Sequence, residues 1–302
     1  MKLLEFAEKF GTEPQCKMKF KEVRDKAGVT CKCCGSTEHY WLNSKEMYQC
    51  KRCKFRTSLR SGTVMQASNL PFRYWFIALH FMTRDKKSVS AYQVQRELGH
   101  RYYEPIWAMM HKIRQSMGIR DDRYILQGEV EVDEGFFETL VPENQKDEPR
   151  KAGRGSQKQS MAMVFAQSEK VKLPKNKRPS RRCRYFKMIV CPEFNARIAR
   201  TLIEKSTEKG TRLLSDGYSV YKKLKEEGMD ISAEKTPKEQ AHIKLPWVHS
   251  AIGNLKRILN GIYHHSDKMY IQNYMDEFCW KLNRRYFGER LFGRGLIALT
   301  LT

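Results

Sequence analysis

Gly128-Glu-Val-Glu-Val-Asp-Glu-Gly-Phe-Phe137 alternates acidic and apolar side chains with the two-residue period of a half-buried strand. Asp133 stands inside that apolar run, where a carboxylate without a partner would cost on the order of 2–7 kcal/mol. Downstream, residues 160–167 and 185–191 alternate in the same way. A helix over 196–209 leads to a short strand, 211–215, that ends at Asp216-Gly217, and helices over 248–265 and 268–285 follow. Three strands, a helix, a strand and further helices predict a mixed sheet covered by helices. There is no internal repeat.

Upstream of this stretch the texture differs. Residues 1–30 read as a short amphipathic helix (Leu3, Leu4, Phe6, Ala7, Phe10) followed by a basic stretch to Gly28. Cys31-x2-Cys34 and Cys50-x2-Cys53 then lie fifteen residues apart, the spacing of a zinc ribbon. Each pair brings two thiolates to one side of a tight turn, and two turns complete a tetrahedron around structural Zn²⁺. Small strands are expected at 40–42, 47–49 and 55–58. Cys33 lies between ligands and breaks the x2 spacing, while Cys16, Cys183, Cys191 and Cys279 read as packing residues. Three helices follow, from Pro71, over 88–98 to Gly99, and over 104–117. They fit a helix-turn-helix that presents 104–117 to DNA, and equally a plain three-helix packing module. The domains expected are a helical segment 1–30, a ribbon 31–60, a helix-turn-helix-like domain 68–120 and a mixed α/β domain 126–302. The fold class is multidomain α+β.

Among 302 residues, 57 Lys and Arg against 34 Asp and Glu give a net charge of +23, an excess that a polyanion can balance. Two basic inserts, 146–158 and 170–184, read as exposed hairpin loops placed to meet phosphates. No apolar run approaches the ~18 residues of a membrane span, and charges interrupt the N-terminal segment where an export signal would be apolar. A soluble cytoplasmic protein, associated with the nucleoid and without a membrane partner, is the expectation.

Asp133 and Asp216, on neighbouring strands, have the arrangement of carboxylates that hold Mg²⁺ or Mn²⁺, two ions about 4 Å apart, for phosphoryl transfer. The helix over 248–265 narrows the choice of a third group. Ile252, Leu255, Leu259 and Ile262 define its apolar face. His249 and Lys256, seven residues apart, point the same way at the edge of that face. Asn254 points about 140° from His249, and Glu277 about 120° from the apolar face of its own helix. Helix geometry therefore favours His249 with Lys256.

The chain resembles insertion-sequence transposases of the DDE type with an N-terminal zinc ribbon, the insertion-sequence family numbered fifteen-ninety-five. The resemblance rests on Cys31-Lys-Cys-Cys-Gly35, Cys50-Lys-Arg-Cys53, Ser61-Gly-Thr63, Leu70-Pro-Phe-Arg-Tyr-Trp-Phe76, Ser90-Ala-Tyr-Gln93 and Met110-His-Lys-Ile-Arg114. Glu131-Val-Asp-Glu134, Ser215-Asp-Gly217, His249-Ser-Ala-Ile-Gly-Asn-Leu-Lys-Arg257, Gly261-Ile-Tyr-His264, Asp276-Glu-Phe278 and Asn283-Arg-Arg285 extend it over most of the chain. It implies a ribonuclease-H-like catalytic domain that cuts and rejoins DNA at the terminal inverted repeats of a bacterial or archaeal mobile element. It also implies an active site of two Asp, then Glu, Asn or His, then Lys seven residues on, here Asp133, Asp216, His249 and Lys256. The expected partners are double-stranded DNA, as transposon ends and target, and a second copy of the chain in a dimer or larger assembly. The rival readings are an inactive DNA-binding descendant and a structure-selective nuclease of the same fold.

Overall fold

The apolar pattern at the start of the chain forms α1 (Leu3–Phe10), which buries Phe6 and Phe10 and leaves Leu3 and Leu4 exposed. The structure, a computed structural model, describes residues 1–151, 153, 156–171, 180–233, 244–264 and 266–301. The basic stretch that follows α1 is a helix, α2 (Glu13–Ala27). Thr12 and Gln15 start it with a reciprocal capping box, and Gly28, at φ +87°, ends it. Its charges pair along the surface, Lys19 and Lys26 with Glu22 and Lys21 with Asp25, which is why no long apolar stripe announces it.

Strands β1 (His39–Leu42), β2 (Met47–Cys50) and β3 (Arg56–Ser58) form an antiparallel sheet close to the expected positions. Helix α2 is fastened to it. Arg24 donates to the carbonyls of Ser58, Leu59 and Ser61, and the Tyr48 hydroxyl donates to Asp25 at 2.7 Å. Three helices follow, α3 (Phe72–Arg84), α4 (Ala91–Leu98) and α5 (Tyr103–Asp122). Ser90 caps α4 and Gly99, at φ +60°, ends it, leaving a four-residue connection to α5. Helix α5 is longer than the sequence pattern suggests and is buried along most of its length, at Ile106, Met109, Met110, Ile113, Arg114 and Met117. Its first turn is exposed, with Tyr103 and Glu104, and is preceded by exposed Arg101 and Tyr102.

The alternation around Asp133 becomes β4 (Glu129–Glu138), the middle strand of a five-stranded mixed sheet. Its companions are β5 (Gln159–Val171), β6 (Ser180–Val190), β7 (Arg212–Ser215) and β8 (Ile231–Ala233), in the order β6-β5-β4-β7-β8. The first three strands run as an antiparallel meander; β7 joins β4 in parallel and β8 joins β7 in parallel. Helices α6 (Ala196–Ser206) and α7 (Ser219–Glu226) supply the crossovers that parallel pairing needs. The two faces are cleanly divided. Val130, Val132, Met163, Phe165 and Leu213 pack with Ala199, Ile203 and Tyr221 from α6 and α7. Phe137, Ala162, Val164 and Ala166 pack with α8 (Pro246–Ile258) and α9 (Ile271–Asn283). Helix α8 passes into a π-helical turn, Leu259–Tyr263, within the span read from sequence as one continuous helix.

Asp121–Arg284 is one compact unit, and its two ends meet: Arg284 pairs with Asp121, and the Asn283 amide donates to Asp121 at 2.9 Å. A last helix, α10 (Leu291–Leu299), escaped the sequence reading because Gly293 and Gly295 interrupt its apolar pattern. It belongs with residues 1–120, where Phe292 packs on Phe6 and Phe10 and Gly295 admits Leu79. The mixed α/β unit therefore ends at Arg284, short of the residue 302 expected from the sequence. Among the described residues no helix is long and apolar enough to cross a membrane.

The described ends of the second basic insert, residues 170–171 and 180–184, are strand, not loop. Strands β5 and β6 pair up to Val171 and Ser180, and residues 172–179 lie outside the described residues. Arg181 pairs with Glu129 at 2.7 Å, and Arg182 and Arg184 both reach Glu169. Local carboxylates thus meet three of the charges expected to face phosphate. In the first insert, the described part folds around Gln157, whose amide group bonds Pro149 and Lys151.

Candidate zinc ribbon and candidate active site

In the ribbon, two turns of the same shape carry the cysteines. The Gly35 amide donates to the Cys31 carbonyl at 2.9 Å, and the Lys54 amide to the Cys50 carbonyl at 3.1 Å. Both turns need a left-handed residue, and Gly35 and Lys54 supply it at φ +71° and +62°. Cys31, Cys34, Cys50 and Cys53 come together with their sulfurs all within 4.8 Å of one another, at 3.5 Å for Cys31–Cys53 and 3.6 Å for Cys34–Cys50. A zinc tetrahedron with Zn–S bonds of about 2.3 Å has edges of about 3.8 Å, so the donor set fits structural Zn²⁺. The Cys53 amide draws the Cys50 thiol down to about 6, against the effect of burial. Cys33 is exposed and stands outside the cluster.

The second site is assembled from distant segments. Residues 131, 133, 135 and 137 share the β4 face that packs on α8, as the burial of Phe137 among α8 residues shows. Asp133 is buried; its Oδ1 accepts the Glu134 amide at 2.8 Å, and its Oδ2 lies 3.8 Å from His249 Nδ1 in the first turn of α8. Register places the other aspartate. Glu131 pairs with Leu214, so two residues further on Asp216 comes level with Asp133, just past the end of β7. There Asp216 accepts the Tyr218 amide at 3.1 Å, and Gly217 turns the chain at φ +80°. Behind both, Tyr221 is fully buried, and its hydroxyl is pushed well above the usual range by burial and then by Glu134, Asp133 and Asp216. In a chain of net charge +23, this corner is anionic.

A family model described as the ISXO2-like transposase domain matches residues 125–283, more than half of the chain. The chain belongs to the ISXO2-like transposase family. A second model, the transposase zinc-ribbon domain, matches residues 11–56, a span that takes in α2 as well as the cysteine turns. An uncharacterized protein in transposable element ISH50 of Halobacterium salinarum is 21% identical over 215 residues, 68% of each chain. No solved structure matches the chain.

For the transposase, the structure brings His249 to Asp133 and leaves Lys256 exposed on the same helix, two turns along. Asn254 is exposed and accepts from Arg257. Glu277 departs from the sequence reading. It is buried, not at the surface, with the Tyr263 hydroxyl at 3.5 Å and Lys281 at 3.8 Å, because α9 is buried almost all round. Among the described residues the cysteines form the one group of three or more candidate ligands converging within 4.8 Å; Asp133, Asp216 and His249 do not close to that distance. The donor set at the second site still suits a hard divalent cation, with two carboxylates that each direct an oxygen away from their backbone partner. An imidazole beside them favours Mn²⁺ more than Mg²⁺.

Three residues of this region were missed. Glu131 accepts the Trp247 and Val248 amides, at 2.9 and 3.0 Å, through one carboxylate oxygen, and burial pushes its carboxyl up to about 7. Gly135 lies where a Cβ would meet Phe137 and, at 3.3 Å, Ile252 of α8. Tyr221 underlies the acids. Alternation puts residues 131 and 135 on the same face as Asp133, but what each of them meets there comes from the distant helix α8.

Proposed function

We propose that this transposase binds the terminal inverted repeats of its element and carries out metal-dependent strand cleavage and strand transfer at Asp133, Asp216, His249 and Lys256. The observation that carries the reading is the approach of His249 to Asp133 at the strand end where Asp216 comes level. Asp133 and Asp216 would hold the ions through carboxylate oxygens. The chemistry such ions supply when bound is activation of the attacking oxygen and stabilisation of the leaving one. His249, on the helix side, orients the attacked phosphate or the attacking oxygen. Lys256, about 10 Å further along α8 by helical rise, contacts a neighbouring phosphate of the DNA. Water is the first nucleophile, at the element end, and the 3′-hydroxyl it releases is the second, on target DNA.

End recognition falls to the residues before the catalytic unit. The ribbon presents Tyr40 beneath Lys51 and Lys54, and the turn into α5 presents Arg101, Tyr102 and Tyr103. A basic, aromatic surface of this kind suits phosphate contact and base readout from a helix N-terminus. Two element ends must be processed together, so two copies act on one DNA assembly.

The test uses end-containing DNA and separate target DNA, with Mg²⁺ or Mn²⁺ and the full chain. Joined products support the transposase reading. Nicks without joining would reduce the activity to that of a nuclease, and binding without nicks to that of a DNA-binding protein.

A further inference from the structure

Helix α8 begins without a cap of its own. Leu245 stands at the N-cap position and offers no side-chain acceptor, and Pro246 has no N–H. The first two unsatisfied donors are the amides of Trp247 and Val248, and both go to one oxygen of Glu131. The cap therefore comes from the central strand, not from the residues leading into the helix. Glu131 is buried and stands two positions before Asp133 on the same face, and His249 immediately follows the two capped amides. Two positions after Asp133, Gly135 leaves room for Ile252. The helix is thus seated on β4 at two points, with Asp133 and His249 facing each other between them.

We infer that Glu131 is a positioning residue, whose carboxylate seats the N-terminus of α8 on the strand and so sets His249 against Asp133. This inference rests on the active-site reading above and adds to it a residue that touches neither DNA nor metal. A carboxylate in this place also complements the positive end of the helix dipole. Gln at the same position keeps an acceptor oxygen for both amides and loses only the charge.

The experiment measures single-turnover cleavage of end-containing DNA by the full chain, carrying Glu131→Ala or Glu131→Gln, each with and without His249→Ala. Misplacing a reacting group by about 1 Å can cost on the order of 100-fold, and Glu131→Ala is expected to slow cleavage by about that factor while end binding and zinc content stay unchanged. Glu131→Gln should stay within about fivefold of the wild type, the loss of a helix-end charge. In the His249→Ala background, Glu131→Ala should add less than about twofold, because residues acting as a unit are not additive. Amide exchange at Trp247 and Val248 should be slow in the wild type and in Glu131→Gln, and fast in Glu131→Ala. Should Glu131→Ala fail to fold, Glu131→Asp, which withdraws the carboxylate by one methylene, carries the same comparison.

An equal loss in both backgrounds would overturn the positioning role and leave the active site standing. Glu131→Gln as inactive as Asp133→Asn would overturn it too, marking Glu131 as a ligand. His249→Ala that cleaves like the wild type would bring down the active-site reading and the inference together.

Discussion

The two candidate metal sites are built in opposite ways. The four cysteines lie within one 31–53 segment, and two local turns of matching shape bring their sulfurs together whatever the rest of the chain does. Asp133, Asp216 and His249 come from a central strand, a strand end and a helix, and reach one corner only through sheet register and the seating of α8. The ribbon closes four soft ligands on one ion and leaves no open position, as a structural site does. The acidic corner is only partly covered, with Asp133 buried and Asp216 and His249 half-buried. Contiguity makes a site rigid, and assembly from distant segments makes it dependent on packing.

Zinc removal should give the largest effect, because structural zinc in small domains contributes on the order of 10 kcal/mol of folding free energy. Reduced protein should contain about one zinc per chain by metal analysis. Cys50→Ser should expose 31–58 to proteolysis and weaken end binding, while residues 121–284 stay folded. Because Arg24 and Asp25 of α2 are tied to the ribbon strands, protection of α2 should fall with it. Protein without zinc, or a Cys50→Ser ribbon as resistant as the wild type, would break the comparison on this side.

Next come the carboxylates. Asp133→Asn and Asp216→Asn should each lower cleavage by more than about 10³-fold, the several kcal/mol that a lost metal ligand costs. Filter binding of end DNA should be unchanged, since neither residue is a phosphate contact. Activity in either variant would mean that the acids meet by register alone and serve the fold.

The same contrast explains what could be read in advance. Cysteine spacing is a local signal, so the ribbon and its three strands were legible from the residues themselves. Asp133 was legible because an acid in an apolar run demands a reason. Glu131 stands in the same run, but its reason is the end of a helix more than a hundred residues away, and no local pattern points to it. Helix α2 was hidden by surface ion pairs, α10 by glycines, and the burial of Glu277 by a helix enclosed on nearly every side. Angles around a helix show which residues share a face; they do not show how many faces are covered.

His249 offers the third test. His249→Ala should slow cleavage by about 100-fold, and His249→Glu, which offers an oxygen ligand, should retain Mg²⁺-dependent activity. Asn254→Ala, at an exposed position, should change cleavage by less than about twofold. Glu277→Gln should act through stability, lowering the melting temperature because a buried carboxylate beside Lys281 loses its charge. If Glu277→Gln abolishes cleavage while His249→Ala cleaves normally, the third group lies on α9.

The smallest effect concerns an acid on α9. Burial pushes the Asp276 carboxyl up to about 7, and the nearby Asp122 and Asp121 add to the shift. Gln272 donates to it at 2.8 Å and also bonds Met188 and Val190 of β6, so the carboxyl belongs to the staple between helix and sheet. A carboxyl whose folded pKa is raised adds stability below the unfolded value, near 4, and that contribution is lost as pH rises through about 7. Asparagine mimics the protonated form and cannot ionise. Asp276→Asn should therefore leave the melting temperature near that of the wild type at pH 4. At pH 8 it should raise stability by about 1–3 kcal/mol, read as a shift of a few degrees in thermal unfolding. The ribbon, held by local turns and by the zinc its cysteines suit, should show no effect of Asp276→Asn when followed by its own proteolysis at pH 5.5 and at pH 8. An Asp276→Asn effect of the same size at both pH values would mean that the carboxyl ionises in the folded state as it does in the unfolded one, and that the staple carries no charge penalty.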